Sequence, residues 1–349
     1  MSRKRVTSFD VARRAGVSRS VVSAVLNNTP GIGVSEETRE AVLEAIRELD
    51  YHVDAQARSM KTGKSMCLAA YGNLKHPLFL QLLEGMQKSC EARGYQILLC
   101  SGSRGGGQDR SKLLTLYHQR RIDGIVTFDD TSYCDTAWAE EVIQAGVPYI
   151  SVEGFAEYDG VSSIQADYRG SIALALDHLA GGTGSAAAGP SAAVPLYLEM
   201  ASQASSGNWA ERNRREAYAE WCARRSCTPR LLQLEESRPD ELEKLLAGHL
   251  ADGSLSGGLL INWSSSVPDL YRAAWKLRLR IGEDLRVMAA DNTIRGHKLL
   301  VPALSCVEIP YGRMGAEAVE AVLRQMDGGR DKQPEKIWLQ ASLHRGESV

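Results

Sequence analysis

The sequence predicts a small all-α head followed by a larger α/β body of parallel sheets with helices on their faces. Three observations lead there. The 349 residues exceed the roughly 100–200 that one domain usually holds. Residues 1–35 are basic, with Arg3, Lys4, Arg5, Arg13, Arg14 and Arg19 against the single acid Asp10, and read as short helices joined by a tight turn. After Ser65 short apolar runs alternate with amphipathic stretches, the pattern of repeated βαβ units.

The head carries +5, which leaves −7 on the remainder of a chain whose net charge is −2. A basic head on a mildly acidic body suits a protein whose head alone meets a polyanion, although a solvated basic tail has the same charge. Hydrophobic residues at 44% and charged residues at 24% are ordinary for a soluble globular chain and exclude one dominated by disorder or membrane spans. The N-terminus MSRKRVTSFD turns polar where a signal peptide needs an apolar stretch, so a cytoplasmic location is expected. Cys67, Cys90, Cys100, Cys134, Cys222, Cys227 and Cys306 are odd in number and lack a CxxC pair or histidines at ligand spacing. They read as structural thiols, and neither a metal nor a cofactor is expected.

In the head, Thr7 is placed to cap a helix with Asp10 in its first turn. Gly16 ends that helix and Ser18 caps the next. Val22, Val25 and Leu26 form one stripe of the second helix, to pack on Val11, Ala12 and Ala15, which leaves Arg19, Ser20, Ser23, Ala24 and Asn27 on the outer face. This is a helix-turn-helix layout, whose second helix enters the major groove of DNA. Ser35 caps a third helix that offers Val42, Leu43, Ile46 and Leu49 to a three-helix core.

The ordered set DVARRAGVS, VSAVLNN, VSEETREAVLEAIRELDY and ARSMKTGKS over residues 6–65 resembles the head and hinge of the LacI/GalR family of bacterial transcriptional regulators. The resemblance implies that Arg19, Ser20 and Ala24 face bases, while Thr7, Ser18, Ser23, Asn27, Ser35 and Thr38 hold phosphates and fix register. It implies a hinge helix over residues 55–61 with Met60 as a minor-groove wedge. Departures are Val21 and Ala24, where the family usually has Thr and Arg, and Val53-Asp54 in place of Pro-Asn. Operator choice is therefore expected to differ from that of typical members, with Arg19 as the long donor toward guanine.

In the body, MCLAAY, YQILLC, DGIVTF, VPYISV, VPLYLE, RLLQL, GGLLIN and LRVMAA are buried-type strand candidates. They fit one large sheet or two smaller ones. The family resemblance implies two, in a periplasmic-binding-protein-like body whose chain crosses three times between lobes. The expected divisions are a helix-turn-helix domain at 1–53, a hinge and linker at 54–65 and the body at 66–349. Within the body, the first lobe covers about 66–165 and 293–328, and the second about 166–292 and 329–349.

Ligands collect at the carboxyl ends of strands in such sheets, which selects His76, Phe79, Asp129, Asn262, Trp263 and Asp291. Asp167 and Arg214 join them by resemblance, on the stretches QADYRGSIALALDHL and RREAY. Carboxylates and amides serve vicinal hydroxyls, Arg supplies a rigid fork of donors, and an aromatic face covers a sugar ring. Asp and Asn at strand ends also commonly cap the following helix. Trp263, Tyr168 and Ala217 stand where the family usually has Asp, Asn and Gly, which makes the expected cleft more aromatic. Residues 180–193, rich in Gly, Ala, Ser and Pro, read as a surface loop, and residues 311–329 as a helix with Met314, Ala318, Val322 and Met326 on one stripe.

Taken with the resemblance, these features imply a homodimeric regulator, of repressor type, that binds pseudo-palindromic double-stranded operator DNA and responds to a sugar-like effector held between two lobes. Two other readings are a two-lobed ligand-binding protein that has lost operator binding, and a sugar-processing enzyme. Against the enzyme, no Ser-His-Asp order, metal cluster or cofactor fingerprint can be assembled from these residues.

Overall fold

The computed structural model describes residues 6–27, 33–52, 63–102, 107–181, 194–201, 208–235, 239–253, 255–294, 296–328 and 333–349. The chain divides into two compact units, Met1–Ser65 and Met66–Val349. Among the described residues no helix is long and apolar enough to cross a membrane.

The head comprises α1 (Ser8–Arg14), α2 (Arg19–Asn27) and α3 (Glu36–Glu48). Asp10 reaches back to accept from both the backbone N–H and the hydroxyl of Thr7, at 2.9 and 2.7 Å. The tight turn depends on Gly16, whose φ of 67° lies in the left-handed region that a side chain disfavours. Val11, Ala12, Val22, Val25, Val42 and Ala45 form the core, with Leu26, Ile46, Leu49 and Tyr51 packed on it. Arg14 and Glu48 tie α1 to α3 at 2.6 Å.

Two expectations for the head are corrected. Ala24, expected on the outer face of α2, is only 5% exposed; the buried stripe extends around the helix far enough to include it. Leu43 is exposed, and the smaller Ala45 takes the core position, because α3 turns Val42 and Ala45 inward at i and i+3. The expected hinge, with Val53, Asp54 and Met60, lies outside the described residues.

In the body, the first sheet has six strands in the order β11-β5-β4-β3-β1-β2. These are β1 (Cys67–Tyr71), β2 (Gln96–Cys100), β3 (Gly124–Phe128), β4 (Tyr149–Val152), β5 (Ser163–Ala166) and β11 (Lys336–Leu339). All their pairings are parallel. The second sheet has the order β12-β10-β9-β8-β6-β7, from β6 (Leu196–Ala201), β7 (Leu231–Glu235), β8 (Leu259–Ile261), β9 (Val287–Ala289), β10 (Ser305–Glu308) and β12 (Ser342–His344). Only the β10–β12 pairing there is antiparallel. Central strands such as GIVTF are buried at every residue, as expected of strands with both faces covered.

The first lobe holds α4 (Phe79–Arg93), α5 (Gly107–His118), α6 (Thr136–Ala145) and α11 (Tyr311–Gly328). The second holds α7 (Tyr168–Gly181), α8 (Trp209–Arg224), α9 (Pro239–Ala251) and α10 (Val267–Lys276). Helices α4 and α11 approach so closely that a Cβ on Gly85 would lie 1.8 Å from the Gly312 carbonyl oxygen. One apolar cluster runs from Leu68, Ala70 and Val126 of the first sheet to Leu260, Met288 and Val307 of the second.

The chain crosses between lobes after Ala166, after Glu308 and after Leu339. The expected divisions at residues 293 and 329 are therefore corrected. β10 remains in the second sheet, beside β9, and β11 adds to the first sheet beside β5 before the chain leaves for β12. A return crossing can occur only once a strand has ended, and a change of composition does not mark that point. The expected loop at 180–193 begins inside α7, which runs to Gly181; residues 182–193 lie outside the described residues.

Candidate functional site: the cleft of the body and the outer face of the head

The candidate site in the body is built around β4 and the residue after it. Glu153 has a φ of 72°, a left-handed conformation costly for a residue with a side chain and typical of functional positions. Its carboxylate is buried, and Oε1 accepts from the Tyr168 hydroxyl at 2.9 Å and the Tyr311 hydroxyl at 3.0 Å. Oε2 has no partner. Burial pushes the carboxyl up to about 7, although the two tyrosine hydroxyls and the Arg214 charge pull it down.

Tyr168, first residue of α7, connects this carboxylate to a cation. Arg214, on α8, lies 4.4 Å from the Tyr168 ring centroid and 4.0 Å from that of Trp263. Its guanidinium donates to the carbonyls of Asn262 at 3.0 Å and Ala290 at 3.3 Å, which occupies the ends of β8 and β9. Nε has no partner. At the centre of the body, Glu153 Oε2 is thus left without a donor and Arg214 Nε without an acceptor, with the Tyr168 ring between the two groups.

Aromatic side chains continue on both sides. Phe128 meets Tyr311 edge-on with centroids 5.7 Å apart, and His76 meets Phe128 at 4.9 Å. Trp209 packs against Tyr168 at 5.3 Å and Trp338 at 5.5 Å, and its Nε1 donates to the Glu153 carbonyl at 3.4 Å. Trp263 Nε1 donates to Glu211 at 3.0 Å. The lobes also meet where the Thr131 hydroxyl donates to Asn208 Oδ1 at 2.9 Å and where Arg212 pairs with Glu157.

Of the residues expected to hold an effector, His76, Arg214 and Trp263 come together around this centre. Phe79 is fully buried and stacks behind Phe128, so it supports the wall and does not line it. Asn262 is buried, with Oδ1 accepting from Met200 N–H at 2.8 Å and Nδ2 donating to Met200 O at 3.1 Å. Asp291 accepts from Ser264 N–H at 2.6 Å and from Thr293. These two set the loops after β8 and β9, and with them the backbone under Trp263 and Arg214.

Asp129 and Asp167 are engaged elsewhere. Asp129 pairs with Arg110 and accepts from the Thr127 and Ser151 hydroxyls at 2.6 and 2.7 Å. Asp167 caps α7, accepting from Gly170 N–H at 2.8 Å. The capping alternative thus describes Asp167. Glu153, Tyr311 and Trp209 were not expected. Glu153 directly follows the VPYISV strand, so the strand-end rule could have found it; no comparable signal marks Tyr311 or Trp209.

The Glu153 carboxyl sets a pH dependence. Its folded value lies above the usual carboxylate value of 4.5, so between those pH values the folded protein binds more protons than the unfolded chain. Stability should therefore fall as pH rises from about 4.5 to about 7, by about 3 kcal/mol for a shift of this size. Glu153→Gln should flatten that fall. Urea midpoints at several pH values between 5 and 8 measure it, and parallel profiles for the two proteins would refute the assignment.

On the head, Arg19 and Ser20 at the start of α2 are exposed and Ser23 is half-buried. The Ser18 hydroxyl accepts weakly from Val21 N–H at 3.4 Å. Ser35 caps α3 through Thr38 N–H at 3.2 Å, and its hydroxyl meets that of Thr38 at 2.8 Å. Thr7, Ser18 and Ser35 thus each precede a helix, where unpaired amides favour an anion. Asn27 is the last residue of α2.

Residues 9–54 match the model described as bacterial regulatory proteins, lacI family, and residues 196–349 match a periplasmic binding protein-like domain. The chain is 28% identical over 352 residues to the sucrose operon repressor of Pediococcus pentosaceus, covering 97% of each. It is 29% identical to the HTH-type transcriptional repressor PurR of Serratia proteamaculans, over 93% of this chain and 92% of the relative. Among solved structures, the lac repressor dimer bound to operator and the anti-inducer ONPF superposes with a TM-score of 0.74 at 20% identity, covering 99% of each chain.

Proposed function

Because the chain belongs to the lacI family of bacterial regulatory proteins, we propose that it is a sequence-specific DNA-binding transcriptional regulator of repressor type. It acts as a homodimer in the cytoplasm, its operator affinity set by a sugar or related polyhydroxylated metabolite bound in the body. The observation that carries this reading is the head. Gly16 makes a tight turn between two short helices, the apolar faces close a small core, and Arg19 and Ser20 stay exposed at the start of the second helix.

Arg19 is assigned to base edges, where its fork matches guanine O6 and N7, with Ser20 beside it. Thr7, Ser18, Ser23, Asn27, Ser35 and Thr38 are assigned to phosphates and Met60 to the minor groove. Ala24, being buried, serves packing. In the body the effector is assigned to Glu153, Arg214, Trp263, His76 and Tyr311. A carboxylate acceptor, a guanidinium donor and aromatic walls complement a ring that bears hydroxyls on its edge and C–H groups on its face. The effector acts by binding one lobe arrangement more tightly than another. The chemistry is binding and not turnover, in keeping with relatives named as repressors.

Selection of bound duplexes from a random DNA library, followed by titration of the recovered site at two salt concentrations, tests the reading. A pseudo-palindromic site is expected, with log affinity falling against log salt by about 0.9 for each phosphate neutralised. Arg19→Ala should weaken binding by about 1–3 kcal/mol and relax the base preference at one position per half-site. Failure of the folded protein to enrich any duplex, with and without candidate sugars, would instead favour a ligand-binding protein that has lost its operator.

A further inference from the structure

His297, Glu308 and His344 come together at the edge of the second sheet, on a different set of residues from the effector cleft. His297 lies in the short helical turn His297–Leu299 between β9 and β10, Glu308 is the last residue of β10, and His344 is the last residue of β12. In the antiparallel β10–β12 pair, His344 lies opposite Cys306 and Ser342 opposite Glu308. His344 and Glu308 are therefore diagonal neighbours on one face of the sheet. The imidazole rings of His297 and His344 meet edge-on with centroids 4.9 Å apart.

Three ligand atoms, one from each residue, lie within 4.8 Å of one another. The His297 side chain is 10% exposed, and its Nδ1 faces the Ile294 carbonyl at 3.3 Å. A proton on Nδ1 fits that contact and leaves Nε2 with a bare lone pair. Nε2 has no hydrogen-bond partner, and 3.3 Å away lies Glu308 Oε1, also an acceptor. Two acceptors facing each other, one on the buried His297 and one on the partly exposed Glu308, call for a cation between them. A ring nitrogen held by a backbone carbonyl, with the other nitrogen aimed into the cluster, is the usual preparation of a metal-binding histidine. The separation also fits, since a tetrahedral site with bonds of about 2.0–2.1 Å holds its ligand atoms about 3.3 Å apart.

We propose that His297, Glu308 and His344 form a binding site for a borderline divalent transition metal, Zn2+ by ligand type, with a fourth position open to water. Two imidazoles and one carboxylate select such a metal over Mg2+ or Ca2+, which take oxygen ligands. Lys298 Nζ lies 3.2 Å from the same Glu308 oxygen on a largely exposed side chain, and it swings into solvent when the metal takes its place. Glu308 ends the strand that leaves for the first lobe, and His344 lies on the strand that returns from it, so the metal braces two of the three crossings. The sequence reading expected no metal because its ligands are spread over residues 297–344 and no short-range spacing unites them.

The test uses the untagged, chelator-treated full-length protein at pH 8. Zn2+ is titrated in competition with a chromophoric chelator, and Co2+ binding is followed by visible absorption. One equivalent per chain is expected, with Co2+ bands of nitrogen and oxygen ligation and a melting midpoint raised by Zn2+. His344→Gln and Glu308→Gln should each weaken binding at least about tenfold and remove the midpoint rise. Should His297→Gln fail to fold, these two variants at the sheet edge carry the test. No stoichiometric binding by the wild type, undiminished binding by both variants, or a cobalt–thiolate charge-transfer band would each overturn the site. The last two outcomes would place the metal on the cysteines or on the surface.

Discussion

Gly315→Ala should destabilise the body by about 3 kcal/mol or more, among the larger effects open to a single methyl group. A Cβ on Gly315 would stand 2.0 Å from the Leu82 carbonyl oxygen and 3.0 Å from the Met86 amide nitrogen. These are backbone atoms of α4, so no rotamer change relieves the clash. The helices must move apart, which opens the layer formed by Leu82, Met86, Met314 and Ala318, all fully buried. Gly85→Ala should act likewise, and the double variant should fall short of the sum because both changes separate the same pair of helices. Gly312→Ala is the internal control. Its added carbon would meet nothing nearer than 3.8 Å, and alanine favours the helix. Thermal melts of the three single variants decide the matter; a Gly315→Ala midpoint within a degree of the Gly312→Ala midpoint would contradict the close approach.

Arg214→Met should cost about 3–5 kcal/mol of stability and abolish the response to effector. Methionine fills similar space but leaves the Asn262 and Ala290 carbonyls buried without their guanidinium donors, at about 1–3 kcal/mol for each lost partner. It also removes a desolvated cation from between Tyr168 and Trp263, worth about 2 kcal/mol in such surroundings. Arg214→Lys keeps the charge but cannot reach both carbonyls as a planar fork, so it should recover under half of the loss. Urea denaturation gives the stability, and calorimetric titration with a panel of candidate sugars, the effector class proposed above, gives the affinity per folded molecule. Arg214→Met at wild-type stability would show that the two carbonyls find other donors. Unchanged affinity in a folded variant would remove Arg214 from the effector site.

Local chemistry made much of the architecture legible. Ser35 caps its helix and Gly16 makes its turn because both act through neighbouring atoms. Runs such as GIVTF declare a strand buried on both faces. What escaped depended on distant partners. The segment SIQA forms β5, although Ser163 and Gln165 are buried within it, because Ser163 receives the Lys336 ammonium at 3.1 Å and Gln165 donates to the Gly154 carbonyl at 2.7 Å. Ala24 and Leu43 exchange their expected exposures because three helices pack with rotations that helical periodicity alone leaves open. In the centre of the body, the strand-end rule picked out Trp263 and Asn262, which lie beside Arg214. It could not tell an atom already satisfied by backbone, such as Asn262 Oδ1, from one left open, such as Glu153 Oε2.

The late position of β11 has a consequence for synthesis. Lys336–Leu339 pairs with Ser163–Ala166, so the first lobe's sheet waits for a strand made some 170 residues after its partner. At roughly 5–20 residues per second on the ribosome, that interval is about 10–30 s. Throughout it β5 is a bare edge, and the surface of α4 at Gly85 waits for α11. The nascent body therefore presents a sticky strand and an apolar groove to its neighbours on the polysome before either can close, and its yield in the cell should depend on chaperone supply more steeply than its final stability would suggest.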